Sequence, residues 1–147
     1  MNTLTIATAC LLSPEQHLLL VRKRDSSFWM LPGGKLDAGE TALQALLREL
    51  GEELQWNAEN TAFQTLGSFE NQAANEANTR VQAQVFYAQL STVPQLHIDA
   101  EIEAMQWWPL NSSHMEHFAP LLQEQVIPNL RQVLRSLRPL QSAIEPA

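Results

Sequence analysis

The chain has 147 residues, of which 45% are hydrophobic, and its formal net charge is −7 at pH 7. This length suits one domain with a substantial core, and no segment is biased enough in composition to be disordered. The negative charge argues against a protein that coats nucleic acid polymers, because such proteins present a basic face to the phosphates. No apolar run approaches the ~20 residues that a membrane-spanning helix needs.

The apolar N-terminus has no Lys or Arg before Arg22, so it lacks the positive region that opens a secretory signal. We therefore expect residues 3–12 to form a first strand. Cys10 is the single cysteine and is expected in the core of that strand. Without a second cysteine no internal disulfide can form, which fits a cytoplasmic location.

Hydrophobic periodicity divides the rest of the chain into further strands and two helices. The predicted strands after the first are residues 18–24, 63–71, 80–90 and 105–110, and the predicted helices are residues 40–54 and 117–137. Pro128 is expected to interrupt or kink the second helix. Because strands and helices do not alternate strictly, the pattern indicates an α/β (α+β) fold with a mixed sheet. One domain is placed at residues 1–138, followed by a loose tail at 139–147.

The first predicted helix has leucines on one side and carboxylates on another. At about 100° per residue, Glu49, Glu52 and Glu53 fall within an arc of roughly 100°. Such like-charged pairs destabilise a bare helix by about 0.2–0.5 kcal/mol each, although a charged, solvated helix end remains the alternative for this segment alone. Clustered carboxylates bind hard cations such as Mg²⁺ or Mn²⁺. The predicted buried stripe consists of Leu43, Leu46, Leu47, Leu50 and Leu54.

Residues 34–56 resemble the Nudix hydrolase signature, G-x5-E-x7-R-E-U-x-E-E-x-G-U, in which U is an aliphatic residue. The segments "WMLPGG" and "EIEAMQWW" are also similar to that family, so the resemblance extends over roughly residues 3–135. In place of the closing Gly and aliphatic residue, this chain has Gln55 and Trp56. Because that Gly commonly adopts a left-handed conformation, either Gln55 is mildly strained or the helix continues to Asn57. The matching residues are Gly34, Glu40, Arg48, Glu49, Leu50, Glu52 and Glu53.

The resemblance implies an α/β/α sandwich with its mixed sheet between helices, and a pyrophosphohydrolase that uses Mg²⁺ or Mn²⁺. It implies that Arg48 orients carboxylates by ion pairing, with Glu40 as a partner and with Gly34 in the preceding turn. The general base stays open between Glu49 and Glu101, and Glu101 or Glu103 is a candidate for a further metal ligand. The metal ligands that the resemblance implies are Glu49, Glu52, Glu53 and the main-chain carbonyl of Gly33, and the catalytic residues are Glu49, Glu53 and Glu101.

Several residues are candidates for contact with substrate. In Nudix proteins a cation near the glycine turn often meets the substrate phosphates, and here Arg22, Lys23 and Arg24 end the second strand; a solvated strand edge is the alternative. Trp29 is predicted either to stack on a base or to fill the core. Arg80 follows a polar loop, where contact with substrate or a surface role is expected.

The implied substrate is a small-molecule nucleotide, with an ordinary or oxidised (d)NTP first, as for MutT-like enzymes. ADP-ribose or a dinucleotide polyphosphate comes second, and a non-catalytic nucleotide-binding module is an alternative of another class. An isomerase acting on an isoprenoid diphosphate would need an active-site cysteine, for which Cys10 is poorly placed. Many relatives form homodimers, so a second copy of this chain is also implied as a partner.

Overall fold

The computed structural model describes the backbone of residues 2–144 and the side chains of residues 2–137. No helix in this part of the chain is long and apolar enough to cross a lipid bilayer. A π-helical turn, Leu122–Val126, leads directly into the last helix. The elements are β1 (Asn2–Leu12), β2 (His17–Lys23), β3 (Gly33–Lys35), α1 (Ala42–Leu54), β4 (Gln64–Gln72), β5 (Thr79–Gln89), β6 (Ile102–Pro109) and α2 (Ile127–Ile144).

The predicted mixed sheet is confirmed, with the strand order β4-β5-β1-β2-β6. β1 pairs with β5 in parallel along its whole length, and the other pairings are antiparallel. β2 joins β1 only at the Leu12–Leu18 pair. The short strand β3 occupies the space that this leaves, and its Gly33 lies opposite Thr8.

The sheet is covered on both faces, as the sandwich arrangement requires. Alternate residues of a strand point to opposite faces, so Cys10 of β1 packs with residues around α2, whereas Ala9 packs with α1. β6 begins at Ile102, three residues before the predicted start. Its two adjacent tryptophans lie on opposite faces of the sheet. Trp108 belongs to the hydrophobic cluster that includes residues of α2 (the α2 cluster), and Trp107 packs beside the cluster that includes residues of α1 (the α1 cluster).

The leucine stripe of α1 is shorter than predicted. Leu46, Leu50 and Leu54 are fully buried, but Leu43 is 41% exposed, so its assignment to the buried stripe is wrong. Leu43 lies in the first turn, one turn before the part of the helix that packs on the sheet. The N-cap is Thr41, whose side chain accepts a hydrogen bond from the Gln44 N–H while the Gln44 side chain accepts one from the Thr41 N–H.

The predicted interruption of the last helix is confirmed as the π-helical turn before Pro128. There the Ile127 N–H donates to the Leu122 carbonyl, five residues earlier. The wider turn accommodates a proline, which has no N–H and crowds the preceding turn. Helical backbone begins at residue 120, not 117, and extends to Ile144, not 137. Residues 139–144 of the predicted loose tail are therefore helical, and residues 145–147 lie outside the described residues.

The end of α1 decides between the two expectations for Gln55. The helix ends at Leu54, and Gln55 adopts a left-handed conformation with φ 52° and ψ 40°. Its N–H donates to the Gly51 carbonyl at 3.1 Å. The strained alternative is confirmed, because a side chain in this conformation costs free energy that glycine does not.

We expect Gln55→Gly to raise the free energy of unfolding by about 0.5–1 kcal/mol. Relief of the left-handed strain, about 1–2 kcal/mol, outweighs the greater freedom of glycine in the unfolded chain, about 0.5–1 kcal/mol. Urea denaturation followed by circular dichroism measures the change. Gln64→Gly, in strand β4, is the control and should destabilise, since no left-handed residue is replaced there. An unchanged or lower stability of Gln55→Gly would contradict the prediction.

Candidate active site

The turn that precedes α1 in the chain meets the last turns of that helix through Gly33. Its N–H donates to Oε1 of Glu53 at 2.9 Å. Gly33 has φ 139°, and a Cβ there would lie 2.1 Å from the Ala7 carbonyl oxygen and 2.7 Å from Cα of Thr8. Only glycine therefore allows β3 to lie this close to β1 while it binds the Glu53 carboxylate.

Gly34 makes room for a second carboxylate. A Cβ on Gly34 would lie 2.5 Å from Cδ of Glu49, so the absence of a side chain is what lets Glu49 rest against β3. Two of the three glutamates predicted to act together thus contact the glycine turn, although most of α1 separates them from that turn in the sequence. The third, Glu52, has a 60% exposed side chain at the edge of the same helix face.

Arg48 forms a network of ion pairs with this helix face and with the loop before it. Its Nε and Nη2 atoms donate to the two carboxylate oxygens of Glu40 at 2.8 and 2.9 Å. Nη1 donates to Glu49 at 3.0 Å and lies 3.4 Å from both oxygens of Glu52. Nη2 also donates to the Lys35 carbonyl. The Arg48 guanidinium lowers the pKa of Glu40 to about 2, so this pair stays ionised at neutral pH.

Glu53 lies outside this network, although it is the most buried of the three glutamates, with only 4% of its surface exposed. Burial raises its pKa to about 7, and the carboxylates of Glu49 and Glu101 add to the shift. The Gly33 N–H and the charge of Lys23 act in the opposite direction. Glu53 is therefore a carboxyl group that positive charge would stabilise in its ionised form.

The donor set fits a hard divalent cation. Glu53 is buried without a salt bridge to any described residue, and the carboxylate of Glu49 lies in the space left by Gly34. Mg²⁺ and Mn²⁺ prefer such oxygen ligands. The described residues contain no group of three acidic, His or Cys side chains already converged on one point, and two of the glutamates are turned toward Arg48.

Two further acidic residues lie at the start of β6, Glu101 just before the strand and Glu103 within it, and the structure separates them. Glu101 lies near enough to Glu53 to raise its pKa, and its carbonyl accepts the Arg24 N–H at 2.8 Å. Glu103 instead lies 3.7 Å from Nη1 of Arg22. Of the two alternatives, only Glu101 is brought toward the buried carboxyl group.

The three cations at the end of β2 have different surroundings. Arg22 stacks on the ring of Trp29, with 5.5 Å from Cζ to the ring centroid, and Arg24 donates through Nε to the Ala100 carbonyl at 2.8 Å. Lys23 forms no salt bridge with the described residues and lines a cleft beside Gly33 and Gly34. Of the three cations, it is thus the one that lines the same cleft as the glycine turn.

The cleft has a volume of about 170 Å³ and opens on the α2 side of the sheet. Sequence reasoning missed most of its walls, because they come together only through the pairing of β1 with β3 and β5. Trp29 is not part of its lining and packs into the α2 cluster, and Arg80 forms a salt bridge of 3.1 Å with Glu70 away from it. The walls include Leu4, Ile6, Thr8, Met30, Leu31, Val81, Leu121, Leu122 and residues 72–76.

In metal-free protein we expect stability to fall as the pH rises from about 4.5 to about 7. Glu53 has a folded pKa near 7 and an ordinary value of 4.5, so the folded state binds more protons in this interval. Glu53→Gln should remove the dependence and stabilise the protein at pH 8 by on the order of 2–3 kcal/mol. Urea denaturation in EDTA at pH 5 and pH 8 measures it. Equal slopes for wild type and Glu53→Gln would contradict the assignment.

The model of the NUDIX domain matches residues 3–130 of the chain. A putative 8-oxo-dGTP diphosphatase of Bacillus subtilis is 44% identical over 52 residues, which are 35% of this chain and 35% of that protein. The match thus spans about a third of the length of the curated relative.

Two solved structures are similar over nearly the whole chain. The MutT protein of Methanosarcina mazei has a TM-score of 0.72 at 20% identity, with 92% of this chain and 95% of that one covered. The NUDIX domain of Shewanella oneidensis NrtR, solved with ADP ribose, has a TM-score of 0.72 at 25% identity, with 91% and 90% covered. The matched domain includes β1, the glycine turn, α1 and the cleft, and the chain belongs to the Nudix family.

Proposed function

We propose that the chain is a Mg²⁺-dependent pyrophosphohydrolase that cleaves a diphosphate linkage in a nucleoside diphosphate derivative. The observation that carries this proposal is the buried Glu53 carboxyl group, which accepts a hydrogen bond from Gly33 at the wall of a cleft that Lys23 also lines. A buried carboxyl group and a lysine beside the same glycine turn suit a polyphosphate chain and its metal. An ordinary or oxidised (d)NTP is the first substrate proposed, supported by the similarity to the B. subtilis protein.

Each residue of the site has a proposed role. Glu49, Glu52, Glu53 and the Gly33 carbonyl would hold Mg²⁺ or Mn²⁺, which when bound polarises a phosphoryl oxygen and offsets its charge. Arg48 would hold the carboxylates of Glu49 and Glu52 in place on their face of α1. Glu49 and Glu101 remain the candidates for the base that takes a proton from the attacking water.

The partner is proposed to be a small-molecule nucleotide in the cytoplasm. Cys10 is fully buried, and burial raises the pKa of its thiol. A thiol in this state is inert, which supports a structural role and argues against the isomerase alternative. The homodimer implied by the resemblance stays a prediction.

We expect Glu53→Gln to lower kcat by at least about 100-fold while the fold is retained, because the variant loses a charged oxygen ligand at the buried position. Release of inorganic phosphate and pyrophosphate from ordinary and oxidised dNTPs, ADP-ribose and a dinucleotide polyphosphate measures the rate. Glu59→Gln, at an exposed position after α1, is the matched control and should be fully active. A fully active Glu53→Gln variant would rule out the proposed site.

The same set of substrates separates the alternatives. Release of pyrophosphate from triphosphates would support a (d)NTP as the substrate. Cleavage of ADP-ribose without pyrophosphate release from triphosphates would favour ADP-ribose, an alternative supported by the similarity to the Shewanella domain solved with ADP ribose. Nucleotide binding by calorimetry without cleavage of any of these compounds would identify a binding module instead.

Among the candidate cations, we expect Lys23→Gln to lower kcat/KM by roughly 10-fold or more, since charge-assisted hydrogen bonds to a phosphate are worth about 1.5–3 kcal/mol. Arg80→Gln is the matched control, because Arg80 is bound to Glu70 and does not line the cleft. Steady-state kinetics at low and high salt measure both variants. Equal losses of kcat/KM in the two variants would contradict a specific phosphate contact by Lys23.

A further inference from the structure

The segment between β5 and β6 ends in a tight turn, residues 99–102, that contains Glu101. The Asp99 carbonyl accepts the Ile102 N–H at 3.0 Å, which closes the turn. The Asp99 N–H donates to the main-chain carbonyl of Glu53 at 2.9 Å, so the turn is joined to the residue whose carboxyl group is buried. Burial raises the pKa of that carboxyl group, and the nearby Glu101 carboxylate adds to the shift.

An irregularity in the pairing of β2 with β6 sets the position of this turn. β6 has one extra residue, Glu103, and the register therefore shifts between Arg22 and Lys23. Beyond the shift, the Arg24 N–H donates to the Glu101 carbonyl at 2.8 Å. Bulges of this kind redirect neighbouring side chains and are common beside active sites. Here the bulge brings the main chain of Glu101 opposite Arg24.

The side chain of Arg24 binds the same turn. Its Nε donates to the Ala100 carbonyl at 2.8 Å, one residue before the carbonyl that accepts its main-chain N–H. A hydrogen bond from a charged donor is roughly twice as strong as one between neutral groups. The turn is thus held from two sides, by Glu53 at the end of α1 and by Arg24 just after β2. Arg24 is itself exposed, so its replacement should leave the fold intact.

We propose that Arg24 is a positioning residue, whose side chain fixes the turn at 99–102 so that the Glu101 carboxylate stays beside Glu53. This inference rests on the proposed function, in which Glu101 is a candidate for the base. Arg24 thereby differs from Lys23, which lines the cleft, because Arg24 is not part of the lining and binds the protein instead. A misplacement of about 1 Å can lower an enzymatic rate about 100-fold, so a slight loosening of the turn is sufficient.

The test compares Arg24→Gln with wild type by steady-state kinetics on the substrates named above. We expect kcat to fall about 10-fold while KM stays within about 2-fold, because the variant loses a contact with the turn and none with substrate. Arg24→Lys should recover most of the lost kcat, since its ammonium group can donate to the same carbonyl. A loss that lies mainly in KM would overturn the inference, as would a fully active Arg24→Gln.

A double-mutant cycle separates positioning from direct contact with substrate. In the Glu101→Gln background, Arg24→Gln should change kcat by less than about 2-fold, because the carboxylate that Arg24 positions is already absent. Losses that multiply in the double variant would overturn the inference. A fully active Glu101→Gln would also overturn it, since no catalytic group would then remain for Arg24 to position.

Arg131→Gln is the matched control. Arg131 likewise donates to main-chain carbonyls, those of Leu110 and Ser112 at 2.7 Å each, but it lies beside His17 at the start of β2 and not at its end. This variant should lower Tm and leave kcat within about 2-fold of wild type. A loss of kcat as large as that of Arg24→Gln would overturn the inference, because it would show that general loosening of the fold is sufficient.

Hydrogen exchange of the free protein, measured by NMR, tests the inference without any substrate. The Asp99 and Ile102 amides should exchange faster in Arg24→Gln and at the wild-type rate in Arg131→Gln, because both amides donate within the held turn. Unchanged exchange in Arg24→Gln would overturn the inference. Faster exchange, combined with a wild-type protein that cleaves no diphosphate, would support the positioning of the turn and defeat the proposed function.

Discussion

The site depends on the guanidinium of Arg48, which organises one face of α1. Its two-pronged pair with Glu40 fixes the loop before the helix, and its contacts with Glu49 and Glu52 reduce the repulsion expected on that face. Among the described residues, Arg48 forms no ion pair with Glu53, whose carboxylate contacts β3 instead. Burial raises the pKa of Glu53, the carboxylates of Glu49 and Glu101 add to the shift, and this is the position where a cation has most to stabilise.

The glycine turn connects the two faces of the sheet. α1 packs on one face and the cleft opens on the other, so the carboxylates of the helix reach the cleft only past the edge formed by β3. Gly33 and Gly34 have no side chains at this edge: the backbone of Ala7 and Thr8 leaves no room for one at Gly33, and the Glu49 carboxylate takes its place at Gly34. The two glycines thus keep the edge between the acidic helix and the apolar cleft free of side chains, although the helix and the cleft belong to different layers of the fold.

Much of the fold and the positions of the three glutamates on α1 could be predicted from the sequence, because they depend on local spacing. The period of an α-helix places Glu49, Glu52 and Glu53 together, and the strands follow from alternation. The cleft could not be predicted, because Thr8, Val81 and Leu122 meet only through long-range strand pairing. The exposure of Leu43 was missed for a related reason: periodicity identifies the apolar side of a helix, but not how far along it the sheet extends.

The buried polar side chains of the described residues show where the fold departs from the rule that such groups are hydrogen-bonded. There are four of them, Ser13, Thr79, Thr8 and Glu53. Ser13 accepts the His17 N–H and Thr79 donates to Ala77, so each is satisfied by its own turn. Thr8 has no partner, whereas Glu53 accepts the Gly33 N–H but is an acidic group buried with a raised pKa. These last two flank the same glycine, Gly33, one through strand pairing and one through its N–H. Departures from local consistency are expected at functional sites, and in this fold they meet at the glycine turn.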